Sequence, residues 1–171
     1  MAEFSRRIYH GLGEVLTDMR AILSHRDLLR STMRGGLDAA FRERLMLVVT
    51  GVNGCRYCSY AHARQALTEG VPPEEIELLG KTVFHGSPKE EAPALLYAQH
   101  WAEADGEPDP TARATVVERY GEETLARIEI VLRLIRAGNL IGNTFDYLLH
   151  RLSFGRLGGS ARPSPDAEPS D

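Results

Sequence analysis

The sequence predicts an all-α protein, a helical subunit of antiparallel helices around a buried CxxC helix, and three observations carry this. Apolar residues recur at helical spacing along most of its 171 residues. Glycine pairs, prolines and capping residues interrupt that pattern at intervals suited to helices. No stretch alternates apolar and polar residues as a strand would. A hydrophobic content of 43% with 16 glycines lies in the globular range, and the length suits one domain with its own core. Residues 1–155 form the expected helical domain. From 156 to 171 the chain turns to Gly, Ser, Pro and acid, expected to be a disordered polar tail that cannot bury enough surface to offset its ordering entropy.

In order along the chain, Ile8, Leu12, Val15, Leu16, Met19, Ile22 and Leu23 define an amphipathic helix over 5–23. A shorter helix over 26–33 stops at Gly35-Gly36. The next, 37–52, is apolar on all sides from Leu45 to Val49, which means burial rather than one face on solvent. Gly51 to Gly54 breaks it, and a helix follows over 55–69, before Gly70 and the Pro72-Pro73 pair. Helices over 74–79, 89–104 and 110–120 come next, the last with Asp109 as cap and Pro110 at its first position. A long apolar-periodic segment covers 122–152 and contains Phe145, Leu148, Leu149 and Leu152. Gly138 and Gly142 inside it each cost about 1 kcal/mol against alanine, so close helix approach is the expected reason for them.

Net charge is −4 with no basic block, which gives nucleic acid or an anionic membrane little electrostatic footing. The longest apolar run is far shorter than the roughly 18 residues of a spanning helix. No secretory leader pattern precedes it, so the cytoplasm is the expected compartment. Two cysteines so close together suggest redox chemistry or a metal rather than a disulfide scaffold.

Cys55, Cys58 and His62 form the constellation of interest, because spacings of three and four put both sulfurs and the imidazole along one helical stripe. At a helix N-terminus the first thiolate is stabilised by unpaired backbone N–H groups, and a neighbouring imidazole lowers the thiol further from about 8.5. One sulfur can then attack an electrophile and the other resolve the product. Other readings stand beside this one: two small core residues with His62 satisfied by a carbonyl, or a zinc site lacking an evident fourth ligand. A redox or zinc sensor module, or an acid/base enzyme on a lactone using His62 and Glu43, completes the set. Tyr57 and Tyr60 flank the cysteines, and Asn139 and Asn143 are expected to satisfy backbone or interface groups.

Glu43, eleven residues, Cys55-Arg56-Tyr57-Cys58, three residues and His62 together resemble the motif of the alkylhydroperoxidase D-like branch of the carboxymuconolactone decarboxylase family. The resemblance implies a helical subunit assembling as a homo-oligomer, trimer or hexamer, that reduces a small hydroperoxide through its cysteine pair. It further implies that Cys58 attacks the peroxide, Cys55 resolves the sulfenic acid to a disulfide, and Glu43 and His62 relay the proton. Peroxidase members often carry a histidine just before the second cysteine, where this chain has Tyr57, a phenol of pKa about 10 that does not titrate near neutrality. The name-giving decarboxylase branch lacks paired cysteines. Electrons are expected from a dithiol or lipoyl-type donor by thiol exchange, with no flavin, haem or nicotinamide cofactor and no metal.

Overall fold

A computed structural model describes residues 4–158. Among them there is no strand, and eight α-helices build the fold: α1 (Leu12–Ser24), α2 (Arg26–Ser31), α3 (Ala39–Asn53), α4 (Arg56–Thr68), α5 (Pro73–Gly80), α6 (Ala92–Glu103), α7 (Pro110–Tyr120) and α8 (Glu122–Leu152). The chain is all-α, as its periodicity predicts. No helix among the described residues is long and apolar enough to cross a membrane.

Helix α3, not the cysteine-bearing α4 expected there, is the buried centre, packed against α4, α5, α6 and α8; in α4 only Ala66 is buried, because its other faces lie toward solvent. Its Leu45, Val48 and Val49 are fully buried, each contributing on the order of 1.5–3 kcal/mol relative to exposure. Trp101 of α6 and Ile128, Val131 and Leu132 of α8 close the same core. Burying the charged run Arg42-Glu43-Arg44 on this helix requires partners, because an unpaired charge in the interior is costly. Arg44 finds Glu75 at 2.8 Å and Glu91 at 3.3 Å. Glu43 turns instead toward α4.

Several boundaries differ from the periodicity. The first helix begins at Leu12, not at residue 5, because the preceding residues run as an arm tied to α8. There the Tyr9 backbone N–H donates to Thr144 Oγ1 at 2.9 Å, and Gly11 is extended at φ −163°. The second helix gives way after Ser31 to a π-helical turn, Thr32–Gly36, ended by Gly35 at φ 110°. The third starts two residues later than expected, at Ala39, where Asp38 caps the Phe41 N–H. It then passes through Gly51 and stops only at Gly54, which adopts φ 70°. Gly51 serves proximity rather than termination: a Cβ there would lie 2.6 Å from the Gly80 carbonyl oxygen. Helix α6 begins at Ala92 rather than residue 89, with Pro93 in its first turn. Asp109 caps α7 as its sequence suggests, accepting from the Thr111 and Ala112 N–H groups.

Of the two glycines in α8, Gly142 meets the expectation of close approach, since a Cβ there would sit 2.8 Å from Cys55 Sγ. Gly138 does not, because nothing lies within 4 Å of where its Cβ would be. Part of the apolar periodicity also faces outward. Leu12 and Leu16 on α1, and Ile141, Phe145, Leu148 and Leu152 on α8, are all more than half exposed. Within the segment 156–171, expected to be a tail, the Gly158 carbonyl accepts from Arg6 Nη2 at 2.8 Å; residues 159–171 lie outside the described residues.

Candidate functional site

The turn between α3 and α4 builds the site. Gly54, in the left-handed conformation, ends α3 and lets Cys55 become the N-cap of α4. The Cys55 sulfur accepts the Cys58 backbone N–H at 3.4 Å, as an N-cap side chain should. One turn on, Cys58 brings its sulfur to 2.8 Å from that of Cys55, and both are free thiols. Cys55 is buried against Gly142, whereas Cys58 keeps partial exposure.

His62, a further turn along α4, keeps a quarter of its side chain exposed, and its Nδ1 lies 2.7 Å from Oε2 of Glu43, which is almost fully buried. Helix α3 therefore does return beside α4, and the two halves of the motif meet. Of the flanking arginines, Arg44 is committed to Glu75, while Arg42 forms an ion pair with Glu43, its Nε 3.7 Å from Oε1 without a hydrogen bond. A backbone carbonyl is not what orients the imidazole; a buried carboxylate is. Among the described residues no three His, Cys, Asp or Glu side chains converge as a metal would require.

The two sulfurs titrate as a pair, since the charge on one opposes ionisation of the other. Cys55 is pulled below the ordinary thiol range to about 7, first by the hydrogen bond from Cys58. Burial works against this shift, while the backbone N–H groups of Cys58 and Tyr57 and the positive charge of Arg6 assist it. Cys58 is pushed up by the neighbouring Cys55 sulfur and by burial, with a hydrogen bond from Asn139 working the other way.

Two groups here, Asp146 and Arg6, escape sequence reasoning. Asp146 is fully buried in α8 and gathers Arg6 at 2.9 Å, Arg56 at 2.7 Å and the Tyr57 hydroxyl at 2.8 Å. Tyr57 is thus a hydrogen-bond donor to that carboxylate. Arg6 also reaches the Gly54 carbonyl at 3.4 Å, so the N-terminal arm straps the start of α4. Asn139, expected to satisfy backbone or interface groups, instead pairs with side chains of α3: its Oδ1 accepts from Asn53 at 3.2 Å and its Nδ2 donates to Thr50 at 3.1 Å. Asn143 behaves as expected, donating to the Asn53 and Arg7 carbonyls. Acid and amides in an otherwise apolar helix, four and three residues apart, were the available signal.

Fold and site together define an all-helical protein with a dithiol at a helix N-terminus and a carboxylate–imidazole pair beside it. Residues 19–100, a stretch that contains Glu43, Cys55, Cys58 and His62, match the model of the carboxymuconolactone decarboxylase family. No curated protein matches the chain.

Proposed function

We propose that this protein is a thiol-dependent peroxidase of the alkylhydroperoxidase D-like kind, reducing a small organic hydroperoxide through a cycle between Cys58 and Cys55. The observation that carries the reading is the pair of free sulfurs 2.8 Å apart, at a helix N-cap, beside a buried Glu43–His62 pair. Cys58, the accessible sulfur, attacks the distal oxygen as thiolate; the O–O bond breaks, and the departing alkoxide takes a proton from His62. Sulfur loses two electrons and becomes the sulfenic acid, while the hydroperoxide becomes an alcohol. The Cys55 thiol then displaces water to close the disulfide. Glu43 holds the imidazole at the height needed for proton transfer. A dithiol or lipoyl-type donor restores both thiols by exchange, itself becoming a disulfide. Such a cycle suits the cytoplasm, where thiols stay reduced between turnovers.

Stoichiometric peroxide should remove two hydrogen atoms from the intact protein by mass, and excess dithiol should restore them. Because the two sulfurs titrate as a pair whose first proton leaves from Cys55 at about 7, the rate should climb with pH through that value as the pair gains its single negative charge. A depressed thiol pKa means that the reactive form is complete above this value and is lost as pH falls through it. An unchanged mass, with both cysteines still alkylatable, would rule out the cycle.

The same reading includes a homo-oligomer, trimer or hexamer. Its support is the outward apolar stripe Ile141, Phe145, Leu148 and Leu152, which meets Tyr57 through Phe145 with ring centroids 6.2 Å apart. Isolated apolar residues on a surface are ordinary, but a continuous helical stripe marks an interface. A Phe145→Asp, Leu148→Asp variant should fall to monomer in light scattering; a monomeric wild type would refute the assembly.

A further inference from the structure

We infer that Gly142 is a positioning residue for the dithiol: by carrying no side chain it gives the reduced Cys55 sulfur its place, and so keeps the Cys55–Cys58 disulfide easy to reduce. The inference rests on the thiol cycle proposed above and deepens it, naming the residue of α8 that sets the balance between the two redox forms. A Cβ at position 142 would stand 2.8 Å from Cys55 Sγ and 3.5 Å from Cδ2 of Tyr57. The second separation is ordinary packing, whereas the first is closer than real Cβ atoms come, so the sulfur would have to shift. Its freedom to do so is small. Cys55 is fully buried, and its sulfur caps α4 by accepting the Cys58 backbone N–H at 3.4 Å.

The direction of that crowding decides which redox form it penalises. No atom of Cys58 lies within 4 Å of the same Cβ position, so the second sulfur is farther from residue 142 than the first. Closing the disulfide draws Cys55 Sγ toward Cys58 and away from residue 142. A side chain there would therefore crowd the dithiol more than the disulfide and bias the pair toward the oxidised form, as overpacking at a tight contact does. Glycine lifts the bias. When a donor dithiol passes two electrons and two protons to the pair and itself closes to a disulfide, the Cys55 sulfur returns to an open place. Gly138, one turn earlier on α8, has nothing within 4 Å of its Cβ position and serves as the control.

The test equilibrates the full chain, without peroxide, in mixtures of reduced and oxidised dithiothreitol and reads the disulfide fraction by alkylation and intact mass. Gly142→Ala should shift the equilibrium constant about tenfold toward the disulfide, a potential lower by about 30 mV. Gly138→Ala should titrate as wild type. A merely structural role weakens both redox forms alike and leaves the potential where it was. Thermal melting gives a second readout. Relative to wild type, Gly142→Ala should melt lower in the reduced form than in the oxidised form. In a Cys55→Ala background, where the sulfur that the methyl meets is gone, the same change should stabilise as Gly138→Ala does, through helix propensity. An equilibrium constant equal to wild type or shifted toward the dithiol overturns the inference, as does an equal loss of stability with and without the Cys55 sulfur. A wild type that forms no disulfide at any buffer ratio refutes the thiol cycle itself, and the inference with it.

Discussion

Replacing Cys58 with serine should reduce dithiol-supported hydroperoxide consumption to the uncatalysed background, the largest single effect expected in this protein. A serine oxygen cannot be oxidised to a sulfenic acid or close a disulfide with Cys55, and the buried Cys55 has no access to substrate. Cys55→Ser should behave differently. Its serine can still cap α4 and leave the first step intact, so one equivalent of peroxide is consumed and a sulfenic acid that dimedone traps persists on Cys58. Together the two variants separate attacking from resolving sulfur. A rate unaltered by Cys58→Ser would remove the peroxidase reading and favour acid/base chemistry by Glu43 and His62, which survives loss of both sulfurs.

Asp146→Ala should produce the largest loss of stability among residues near the site. Its carboxylate is fully buried and compensates Arg6, itself only 11% exposed, together with the more exposed Arg56. Removing one member of a buried pair strands the other and costs about 3–5 kcal/mol. For a chain of this size that lowers the melting temperature by roughly 10 °C or more. The arm that Arg6 anchors across Gly54 should loosen with it. Asp146→Asn keeps the acceptor and should lose less. A melting temperature equal to wild type for Asp146→Ala would show that the cluster adds nothing net to the fold.

Much of the chemistry can be seen in one dimension because it is local. Cys55, Cys58 and His62 share a stripe on one helix, and a stripe is a property of spacing alone. Capping at Asp109, burial of residues 45–49 and the absence of strands follow in the same way from short-range rules. Helix starts were less legible: the arm before Leu12 has helical spacing, but its polar groups are claimed by α8, and only the folded chain contains that competitor.

The amino-acid order alone thus determined an all-α chain and the helix carrying the cysteines, and the family resemblance pointed to Glu43 as their distant companion. Tertiary structure decided which sulfur is buried, that Glu43 rather than a carbonyl holds His62, and that Asp146 of α8 gathers Arg6, Arg56 and Tyr57. It also decided that Phe145, Leu148 and Leu152 face outward although their periodicity matches a core. Periodicity reports that a helix has an apolar face. What that face meets depends on long-range packing, which no local spacing encodes.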